Sequence, residues 1–501
     1  MSDYFFERHS LERQRTAFGE QKVALLKPIA QLKATYGIRT SAETDLALGG
    51  TATVEDNNFV LKTGTNNGAK AILRSARNCT YRPGESSLFR FTAGFDVTND
   101  VANSRQCAGA LNDVSGFVVG MYNGEGFGVM HRTGGRHEIR TLTLSTAAGG
   151  AETLSLTLNG TLYSIALTSG TKQHNCYEIV TWMEANQSAW SVEQINDTVI
   201  FLHKAVGPAT STYSVSSSGT AAGSIAQNAL GVVNTDTWVM QDDFNIDKLD
   251  GTGESGFVID PSKGNVYAIS MQYLGYGSVD MKVEDPKTGL FFSFHRFQFA
   301  NSRVIPTLTN ASLKVGWHVE SLGSTTDIRV FGASAMAGVE GLLQPFFEPD
   351  SRNVEKTVGT TSEALLSLRV RKTFNNFSQL SEVFPKIAYV GTDSAKPVQI
   401  QFHINPTFDA ASGEPDWNHQ NTNNSIVDYD TSAAEMSDPG RTIGGFTVAG
   451  ASGSQFNFAS LAAAAELDPV HLKAGDIFTV SARVTSGASS DVALSITWQE
   501  D

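Results

Sequence analysis

One stretch of the chain carries oxygen-bearing side chains at the spacing of a calcium-binding loop. Asp243, Asn245, Asp247 and Glu254 occupy the first, third, fifth and twelfth positions of an EF-hand loop. The glycine that such a loop requires at its sixth position is replaced by Lys248, and no helical pattern flanks the stretch. The spacing therefore favours side chains that cap turns, and it leaves open whether a structural Ca²⁺ binds there.

A second stretch, HRTGGRHEIR, brings metal-binding residue types close together in sequence. A hairpin through Gly134 and Gly135 would place His131 near His137 across two strands, with Glu138 beside them. Two histidines and a carboxylate are enough to begin a zinc site. The alternative is a polar hairpin end with ordinary cross-strand pairs, and the sequence favours that alternative.

Other chemical motifs lack the elements that would position them. Residues 251–256 read GTGESG, but a dinucleotide site needs this glycine pattern between a strand and a helix, and no helix follows the motif. Glu284 and Asp285 point to opposite faces of a strand and lead into a turn, so they do not form a glycosidase pair. No serine-hydrolase elbow and no P-loop is present, which predicts a protein that is not an enzyme and that has no cofactor.

Aromatic residues suggest a contact with sugars at one position. Phe292, Phe294, Phe297 and Phe299 lie at strand period and are expected in the core. Trp417 lies in the polar segment EPDWNHQNTNN, so it is the candidate for an exposed ligand contact.

The elements that carry these residues are mostly short strands and turns. Ile139–Leu144 and Thr153–Leu158 alternate strictly between apolar and polar residues, and glycine-rich turns separate such stretches. We expect a mainly β protein: an N-terminal helix in residues 1–40, a β-sandwich or jelly roll in residues 41–345, and a C-terminal β-sandwich in residues 346–501. The segment Asn175–Asn186 predicts a helix, which indicates a small α/β insertion over residues 150–232.

The predicted N-terminal helix is a candidate assembly element. Pro28 would kink or end it near Lys27. Its heptad-like apolar seam is formed by Leu11, Phe18, Leu25, Ile29 and Leu32. The seam indicates self-association or docking on a larger assembly, and the alternative is a helix packed on its own β body.

Charge also divides the chain near residue 40. The first 40 residues hold seven Lys/Arg and four Asp/Glu, and the remaining residues hold 30 and 47, so the chain has a net charge of −14. An acidic body of this kind is not expected to bind nucleic acid through its phosphates.

The cysteines and the lengths of the apolar segments indicate the compartment in which the chain is expected to fold. Cys79, Cys107 and Cys176 show neither a zinc spacing nor a disulfide framework, which predicts reduced thiols in a reducing cytoplasm. The N-terminus lacks the apolar core of a signal peptide. No apolar stretch reaches the length of about 18 residues that a membrane span requires.

Long aromatic-glycine blocks resemble a known group of proteins. The stretches YRPGESSLFRFTAGF (81–95), GFVVGMYNGEGFGVMHRTGGRHEIRTLTL (116–144) and 236–302 resemble a family of uncharacterised virion proteins of tailed bacteriophages and large DNA viruses. The sandwich region is also similar to a concanavalin-type jelly roll, without the carboxylate pattern of the glucanases on that fold. The resemblance implies assembly in the host cytoplasm, a place on the virion, and a trimeric fibre, spike or decoration protein.

Together these features favour a non-enzymatic virion structural protein that is anchored by its N-terminus and contacts other virion proteins. The alternative is a receptor-binding adhesin that recognises glycans on the host surface. The position on the particle, the copy number, the host receptor and the oligomeric state are left open by the sequence.

Overall fold

The computed structural model describes residues 26–341, 348–393, 395–409, 413–433, 435–458 and 470–500. Within these ranges the chain consists of 37 strands, one α-helix and one short 3-10 helix. The prediction of a mainly β protein built from β-sandwiches is confirmed.

The strands follow one another closely along the chain. The first nine are β1 (Leu26–Lys33), β2 (Ala42–Ala47), β3 (Thr51–Glu55), β4 (Asn58–Lys62), β5 (Lys70–Ser75), β6 (Ser86–Phe95), β7 (Ser104–Leu111), β8 (Gly116–Tyr122) and β9 (Phe127–Thr133). They are followed by β10 (His137–Thr146), β11 (Glu152–Leu158), β12 (Thr161–Leu167), α1 (Lys172–Asn186), β13 (Trp190–Ile195), β14 (Thr198–Val206), β15 (Ser214–Ser217) and β16 (Ala222–Ala229). The next group is β17 (Thr235–Met240), the 3-10 helix Gln241–Asp243, β18 (Asn265–Met271), β19 (Val279–Asp285), β20 (Leu290–Phe297), β21 (Lys314–Ser321), β22 (Arg329–Gly332) and β23 (Ser334–Glu340).

The C-terminal part begins with one long strand. Its elements are β24 (Glu348–Val358), β25 (Glu363–Val370), β26 (Thr373–Phe374), β27 (Phe377–Ser378), β28 (Val383–Thr392), β29 (Val398–Ile404), β30 (Thr407–Phe408), β31 (Asn418–His419), β32 (Val427–Asp430), β33 (Met436–Asp438), β34 (Arg441–Val448), β35 (Gly453–Asn457), β36 (Ile477–Val484) and β37 (Ser490–Glu500).

The chain divides into two compact units. Unit 1 consists of residues 1–135 and 234–344, and unit 2 consists of residues 136–233 and 345–501. The segment 136–233 therefore leaves the first sandwich and packs with the C-terminal region, which differs from the predicted domain of residues 41–345.

Unit 1 is an antiparallel β-sandwich. A seven-stranded sheet has the order β17-β9-β8-β7-β21-β5-β2. A nine-stranded sheet runs β20-β19-β18-β6, and β6 then pairs with β22 along one part of its length and with β23 along another. The core between the sheets contains large rings such as Phe89, Tyr267, Phe294 and Trp317, each at most 1 % exposed.

Unit 2 contains several smaller antiparallel sheets. Residues 136–233 form the sheets β13-β14-β10-β16 and β12-β11-β15, and α1 packs against them through Cys176, Ile179 and Met183. The C-terminal region forms a four-stranded sheet β24-β37-β28-β35 and a six-stranded sheet β31-β32-β25-β36-β29-β34, with a shared apolar core.

The predicted N-terminal helix is not supported where the structure describes that segment. Residues 26–33 form β1, in which Ala30 and Leu32 are buried while Gln31 and Lys33 are exposed. This period of two suits a strand. Among the described strands β1 pairs only with β23, and the register shifts just after Pro28, which suits a residue that has no N–H to donate.

The predicted α/β insertion of residues 150–232 is also not supported in that form. The helix itself is present, because Thr171 caps its first turn by accepting a hydrogen bond from the N–H of His174 at 3.1 Å. The strands around it, however, are all antiparallel, and the segment is tied to the C-terminal region. Arg369 donates to the carbonyl of Gln194 at 2.5 Å, and the N–H of Lys372 donates to Glu193 at 2.7 Å.

Candidate ligand-binding site

The C-terminal four-stranded sheet of unit 2, β24-β37-β28-β35, has one buried face and one exposed face. On β28 and β37, Val390 and Leu494 point into the core and are at most 2 % exposed. Their neighbours along the strands, Tyr389 and Ala493, are exposed. Because successive strand residues alternate between faces, the sheet presents a complete second face to solvent.

Four polar side chains lie in register across this exposed face. Asn353 on β24 is paired with Ser495 on β37, Ser495 is paired with Tyr389 on β28, and Tyr389 is paired with Gln455 on β35. We call these four residues the tyrosine row. The ring of Tyr389 is its centre, and the residue is 45 % exposed.

None of the four side chains in the tyrosine row donates or accepts a hydrogen bond within the part of the chain that the structure describes. Side-chain hydroxyl and amide groups offer both donors and acceptors. Their hydrogen-bonding capacity is therefore left to solvent or to a ligand.

A strip of small residues runs beside the tyrosine row. Ala493 is paired with Gly391, and Gly391 with Gly453, while Glu355 lies at the far end opposite Ala493. We call Ala493, Gly391 and Gly453 the small-residue channel. A Cβ placed on Gly391 would meet no heavy atom within 4 Å, so the space above the channel is open.

The tyrosine row and the small-residue channel together form a shallow groove of about 770 Å³. Of the twelve residues that line it, Glu355 is the only one with a charged side chain. An aromatic ring beside neutral hydrogen-bonding groups suits a ligand that has both apolar faces and hydroxyl groups.

The outer face of the seven-stranded sheet in unit 1 is polar in a different way. Arg105 on β7 and Asp236 on β17 are separated by two intervening strands, yet Arg105 Nη1 lies 2.6 Å from Asp236 Oδ2. Arg132 donates to both oxygens of Asp236 at 2.7 Å. Since adjacent strands are about 4.8 Å apart, the face must curve inward, and we call it the concave face.

Ion pairs fill the concave face. Arg74 contacts Glu43 and Asp113 at 2.7 Å, and Lys314 contacts Glu43 at the same distance. Burial acts to raise the pKa of Asp236, but the hydrogen bonds and charges of Arg132 and Arg105 outweigh it and hold that pKa below its usual range. These charged groups are neutralised by one another.

Two further groups on the concave face are kept uncharged. Burial lowers the pKa of His318 to about 4 and raises the pKa of the adjacent Cys107 to about 12. His318 is 5 % exposed, and its Nδ1 has no hydrogen-bond partner within the described ranges. The face resembles a second small core more than an open binding surface.

The acidic loop 243–254 caps turns, as the sequence favoured. Asp247 is buried, and its two oxygens accept from the N–H groups of Leu249 and Ser255 at 2.9 Å. Asn245 exchanges two hydrogen bonds with the backbone of Arg296. Among the described residues no group of three or more His, Cys, Asp or Glu could hold a metal ion.

The predicted hairpin of His131 and His137 is wrong. The chain passes from unit 1 to unit 2 between Gly135 and Arg136, so β9 and β10 belong to different sheets. His131 Nε2 lies 2.8 Å from the carbonyl of Thr307, and His137 Nδ1 lies 2.9 Å from the carbonyl of His203. Each histidine ring therefore has a hydrogen-bond partner within its own unit, and the two histidines do not form a shared site.

The remaining motifs behave as the sequence predicted. Residues 251–256 form a turn without a helix, and Asp285 accepts from the N–H of Lys287 at 2.9 Å at the end of β19. The phenylalanines at strand period are buried in unit 1: Phe292, Phe294, Phe297 and Phe299.

Trp417 is not the exposed residue that the sequence predicted. Its side chain is 4 % exposed, and it packs with Phe408 and Ala433. The guanidinium of Arg369 lies 4.4 Å from its ring centroid. The ring therefore offers no free face for a ligand, although its loop is polar in sequence.

The proposed assembly seam is only partly described. Leu11, Phe18 and Leu25 lie outside the described residues. Leu32 is buried in the core of unit 1, and Ile29 packs against that core from β1. These two residues stabilise the sandwich rather than a helical seam.

Sequence reasoning missed the tyrosine row, although part of its signal was present. The stretch KIAYVG has the composition of a strand, and alternation with Ala388 and Val390, which are buried, places Tyr389 on the outer face. What alternation does not provide is the register that brings Asn353, Ser495 and Gln455 beside it.

Comparison with known proteins gives similarity at the level of solved structures alone. No family model and no curated protein sequence matches the chain. The carbohydrate recognition domain of Emp47p is 9 % identical and is matched over 63 % of this chain and 97 % of its own, with a TM-score of 0.28. The exoplasmic/lumenal domain of VIP36, in its Ca²⁺/Man3GlcNAc-bound form, is 9 % identical over 64 % and 91 %, with a TM-score of 0.24. Lectin II from Ulex europaeus is 8 % identical over 63 % and 100 %, with a TM-score of 0.23.

These identities and TM-scores are low, so we argue function from the geometry of this chain. The described part of the chain contains no helix that is long and apolar enough to cross a membrane.

Proposed function

We propose that this protein is a non-enzymatic glycan-binding protein that recognises neutral saccharides through the tyrosine row and the small-residue channel of unit 2. The observation that carries the proposal is an exposed aromatic ring in register with three polar side chains that have no hydrogen bond within the described residues. The adhesin that the sequence offered as an alternative fits this site better than a purely structural role.

The chemistry of a neutral sugar matches this surface. The faces of a pyranose ring are partly apolar and pack on an aromatic ring, while its hydroxyl groups donate and accept hydrogen bonds. Tyr389 provides the ring, and Asn353, Gln455 and Ser495 provide the polar partners. The open space above Gly391 leaves room for a sugar beside the tyrosine.

The composition of the groove argues for an uncharged ligand and against hydrolysis. Glu355 is the only ionisable carboxyl group among the twelve lining residues. A glycosidase of the usual kind uses two carboxyl groups that flank the scissile bond. A single carboxylate accepts hydroxyl hydrogens and repels acidic sugars, so we assign no reaction to the groove.

The virion location, the other virion proteins as partners and the trimer stay predictions from sequence resemblance. A glycan-binding face is compatible with attachment to a host surface, which was the function of the proposed adhesin. The proposed binding to the tyrosine row does not depend on where the protein is located.

The proposal is tested by affinity electrophoresis of the full chain in gels that contain neutral polysaccharides: mannan, laminarin, xylan or dextran. We expect at least one of them to retard the protein. Tyr389→Ala should weaken that binding by about tenfold, since loss of one well-placed aromatic contact is worth about 1.4 kcal/mol.

The matched control is Tyr276→Ala, which removes a tyrosine that is 36 % exposed in unit 1 and should leave the binding unchanged. Retardation by none of the four polymers, or equal retardation of the Tyr389→Ala variant and the wild-type protein, would overturn the proposal.

A further inference from the structure

A second groove lies on the outer face of the nine-stranded sheet in unit 1. It has a volume of about 540 Å³ and is lined by β1, β6, β18, β23 and the turn that follows β1. Three of its twelve lining residues are the cations Lys33, Arg39 and Arg90, and none of the twelve carries a carboxyl group. We call these three residues and the space between them the cationic groove.

The backbone fixes the positions of these cations. Lys33 ends β1 in register with Ser334, and Arg90 lies on β6 in register with Met336. The turn that carries Arg39 is held by a hydrogen bond from the N–H of Ala42 to the carbonyl of Arg39 at 2.9 Å. The three cations are therefore carried by two strands and an anchored turn.

The three cations have no acidic partner among the described residues. All three side chains are exposed, and none forms an ion pair or a side-chain hydrogen bond within those ranges. They lie instead beside aromatic rings. Arg39 is 5.1 Å and Lys33 is 6.0 Å from the ring centroid of Tyr36, and Arg90 is 5.6 Å from that of Phe291.

The cationic groove has the opposite charge to the chain as a whole. Carboxylates outnumber Lys and Arg by 51 to 37 in the sequence, whereas the lining residues include three cations and no carboxylate. On the concave face of the same unit, by contrast, Arg74 is paired with Glu43 and Asp113. Cations kept together without counter-charges raise the local positive potential and attract an anion.

We propose that the cationic groove binds an anionic group on an acidic saccharide, either a carboxylate or a sulfate. Lys33 and Arg39 supply charge from one side and Arg90 from the other. Tyr36 lies at the edge of the groove, where its ring contacts Arg39 and Lys33, and this residue, which is 73 % exposed, supplies an aromatic surface for a sugar ring. Three cations on a body of net charge −14 do not match a long nucleic acid, which needs many phosphate contacts for its affinity.

This inference adds a second site with its own ligand chemistry to the proposed glycan-binding function. The cationic groove belongs to unit 1 and the tyrosine row to unit 2, and they share no residue. A negative result at one therefore leaves the other intact. The Tyr389→Ala variant should bind acidic saccharides as the wild-type protein does.

The test measures binding of the full chain, by titration calorimetry at low and at physiological salt, to four probes. They are oligogalacturonate for carboxylates, dextran sulfate for sulfates, neutral dextran, and a single-stranded DNA oligonucleotide. We expect one of the two acidic saccharides to bind, more weakly as salt rises, and the one that binds identifies the source of the anionic group.

The decisive variant is Lys33→Gln/Arg39→Gln/Arg90→Gln, which should lose at least about tenfold in affinity for the acidic saccharide. Its matched control is Lys204→Gln/Lys263→Gln/Arg441→Gln. These substitutions remove the same charge from three exposed cations elsewhere, and the affinity should stay nearly unchanged. Circular dichroism checks that both variants are folded.

Three outcomes would overturn the proposal: no binding of either acidic saccharide, equal losses in the two triple variants, or DNA binding as tight as that of the saccharides. The second outcome would reduce the effect to net charge, and the third would make the groove a general polyanion surface.

Discussion

The concave face of unit 1 and the tyrosine row of unit 2 are both polar sheet faces, but they use their polar groups in opposite ways. On the concave face Asp236 is bound by Arg105 and Arg132, and these side chains are between 7 % and 21 % exposed. In the tyrosine row Tyr389, Asn353 and Gln455 are exposed and Ser495 is partly exposed, and none of the four side chains has a hydrogen bond within the described ranges.

The two faces therefore have different roles: the concave face stabilises the fold, and the tyrosine row is available to a ligand. A half-buried charge that loses its partner destabilises the fold, because its desolvation is no longer compensated. An exposed group without a partner contributes little to the fold and keeps its donors and acceptors for a ligand. Substitutions on the concave face should therefore change the free energy of unfolding, and those in unit 2 should change affinity.

The largest expected effect is acid destabilisation of unit 1. Burial lowers the pKa of His131, His295 and His318 to about 4, below the value of about 6.5 that an unfolded chain shows. The unfolded state then binds more protons than the native state between these pH values, so stability is complete above about pH 6.5 and falls as the pH drops towards 4. Each histidine contributes up to about 3 kcal/mol to this loss.

Guanidinium unfolding at pH 7.0, 5.5 and 4.5 measures this loss, and hydrogen exchange locates it in unit 1. His318→Gln should flatten the pH dependence by about one proton, since one titrating group is removed. A free energy of unfolding that stays constant from pH 6.5 to 4.5 would contradict the burial of these three histidines as neutral groups.

The second expected effect is the loss of a central carboxylate on the concave face. Asp236→Asn removes the charge that Arg105 and Arg132 share, and it should lower the free energy of unfolding of unit 1 by about 2 kcal/mol. Binding of neutral saccharides should be unchanged. Denaturant titration and affinity electrophoresis measure the two quantities on the same preparation.

The control for this substitution lies on the same sheet. Asp45→Asn removes an ion pair with Lys70 in which the Asp45 side chain is 53 % exposed. Exposed pairs are worth at most about 1 kcal/mol, so this variant should be clearly more stable than Asp236→Asn. Equal destabilisation by the two substitutions would show that the concave face is not a second core.

The sequence predicted the strands well wherever alternation alone decides them. Ile139–Leu144 lies within β10, and Thr153–Leu158 lies within β11. These strands bury at least one face, so the apolar positions in their sequence are the positions that face the core.

Long-range contacts explain what the sequence did not provide. The segment 345–362 is charged and has no apolar period that would indicate a strand, yet it contains β24, which pairs with β37 over its full length. Trp417 lies in a polar loop, yet the guanidinium of Arg369, from the distant strand β25, lies over its ring, and the nearby Phe408 packs against it. Such burial depends on register and packing between strands far apart in the chain, which local patterns do not encode.

The same limit applies to the candidate sites. Tyr389, Gln455, Ser495 and Asn353 come from four strands, and only pairing makes them neighbours. At the N-terminus the apolar spacing of seven predicts a helix, but Leu32 fits the period of two in β1 just as well, and that strand is what the structure shows at this position.

A smaller effect is expected from filling the small-residue channel. Gly391→Val should fold normally, because its Cβ meets no atom within 4 Å and its backbone is not left-handed. The branched side chain would occupy the space beside Tyr389 and weaken saccharide binding by about tenfold. Affinity electrophoresis in the polysaccharide that retards the wild-type protein is the measurement.

The control is Gly150→Val, at a glycine of unit 2 that is equally unhindered. It should leave both stability and affinity unchanged. If Gly391→Val binds as tightly as this control, the sugar does not lie over the channel, and contact is restricted to the tyrosine row.

The smallest expected signal comes from cysteine labelling, which reports the two units separately. Cys107 in unit 1 and Cys176 in unit 2 are buried, and burial raises the pKa of each to about 12, so neither is a thiolate at neutral pH. Iodoacetamide should therefore modify neither in the native protein. In mild denaturant each thiol should react at the rate at which its own unit opens.

The Asp236→Asn variant tests whether the two units open independently. The substitution should speed labelling of Cys107 by about tenfold or more, as a loss of about 2 kcal/mol implies when reclosing is faster than labelling. Cys79, which is buried in the same sandwich, should accelerate with it, while Cys176 should not. Peptide mass spectrometry assigns each modified site. Equal acceleration of Cys107 and Cys176 would mean that the two units open as one cooperative structure, and that the separation of stability in unit 1 from binding in unit 2 does not extend to their unfolding.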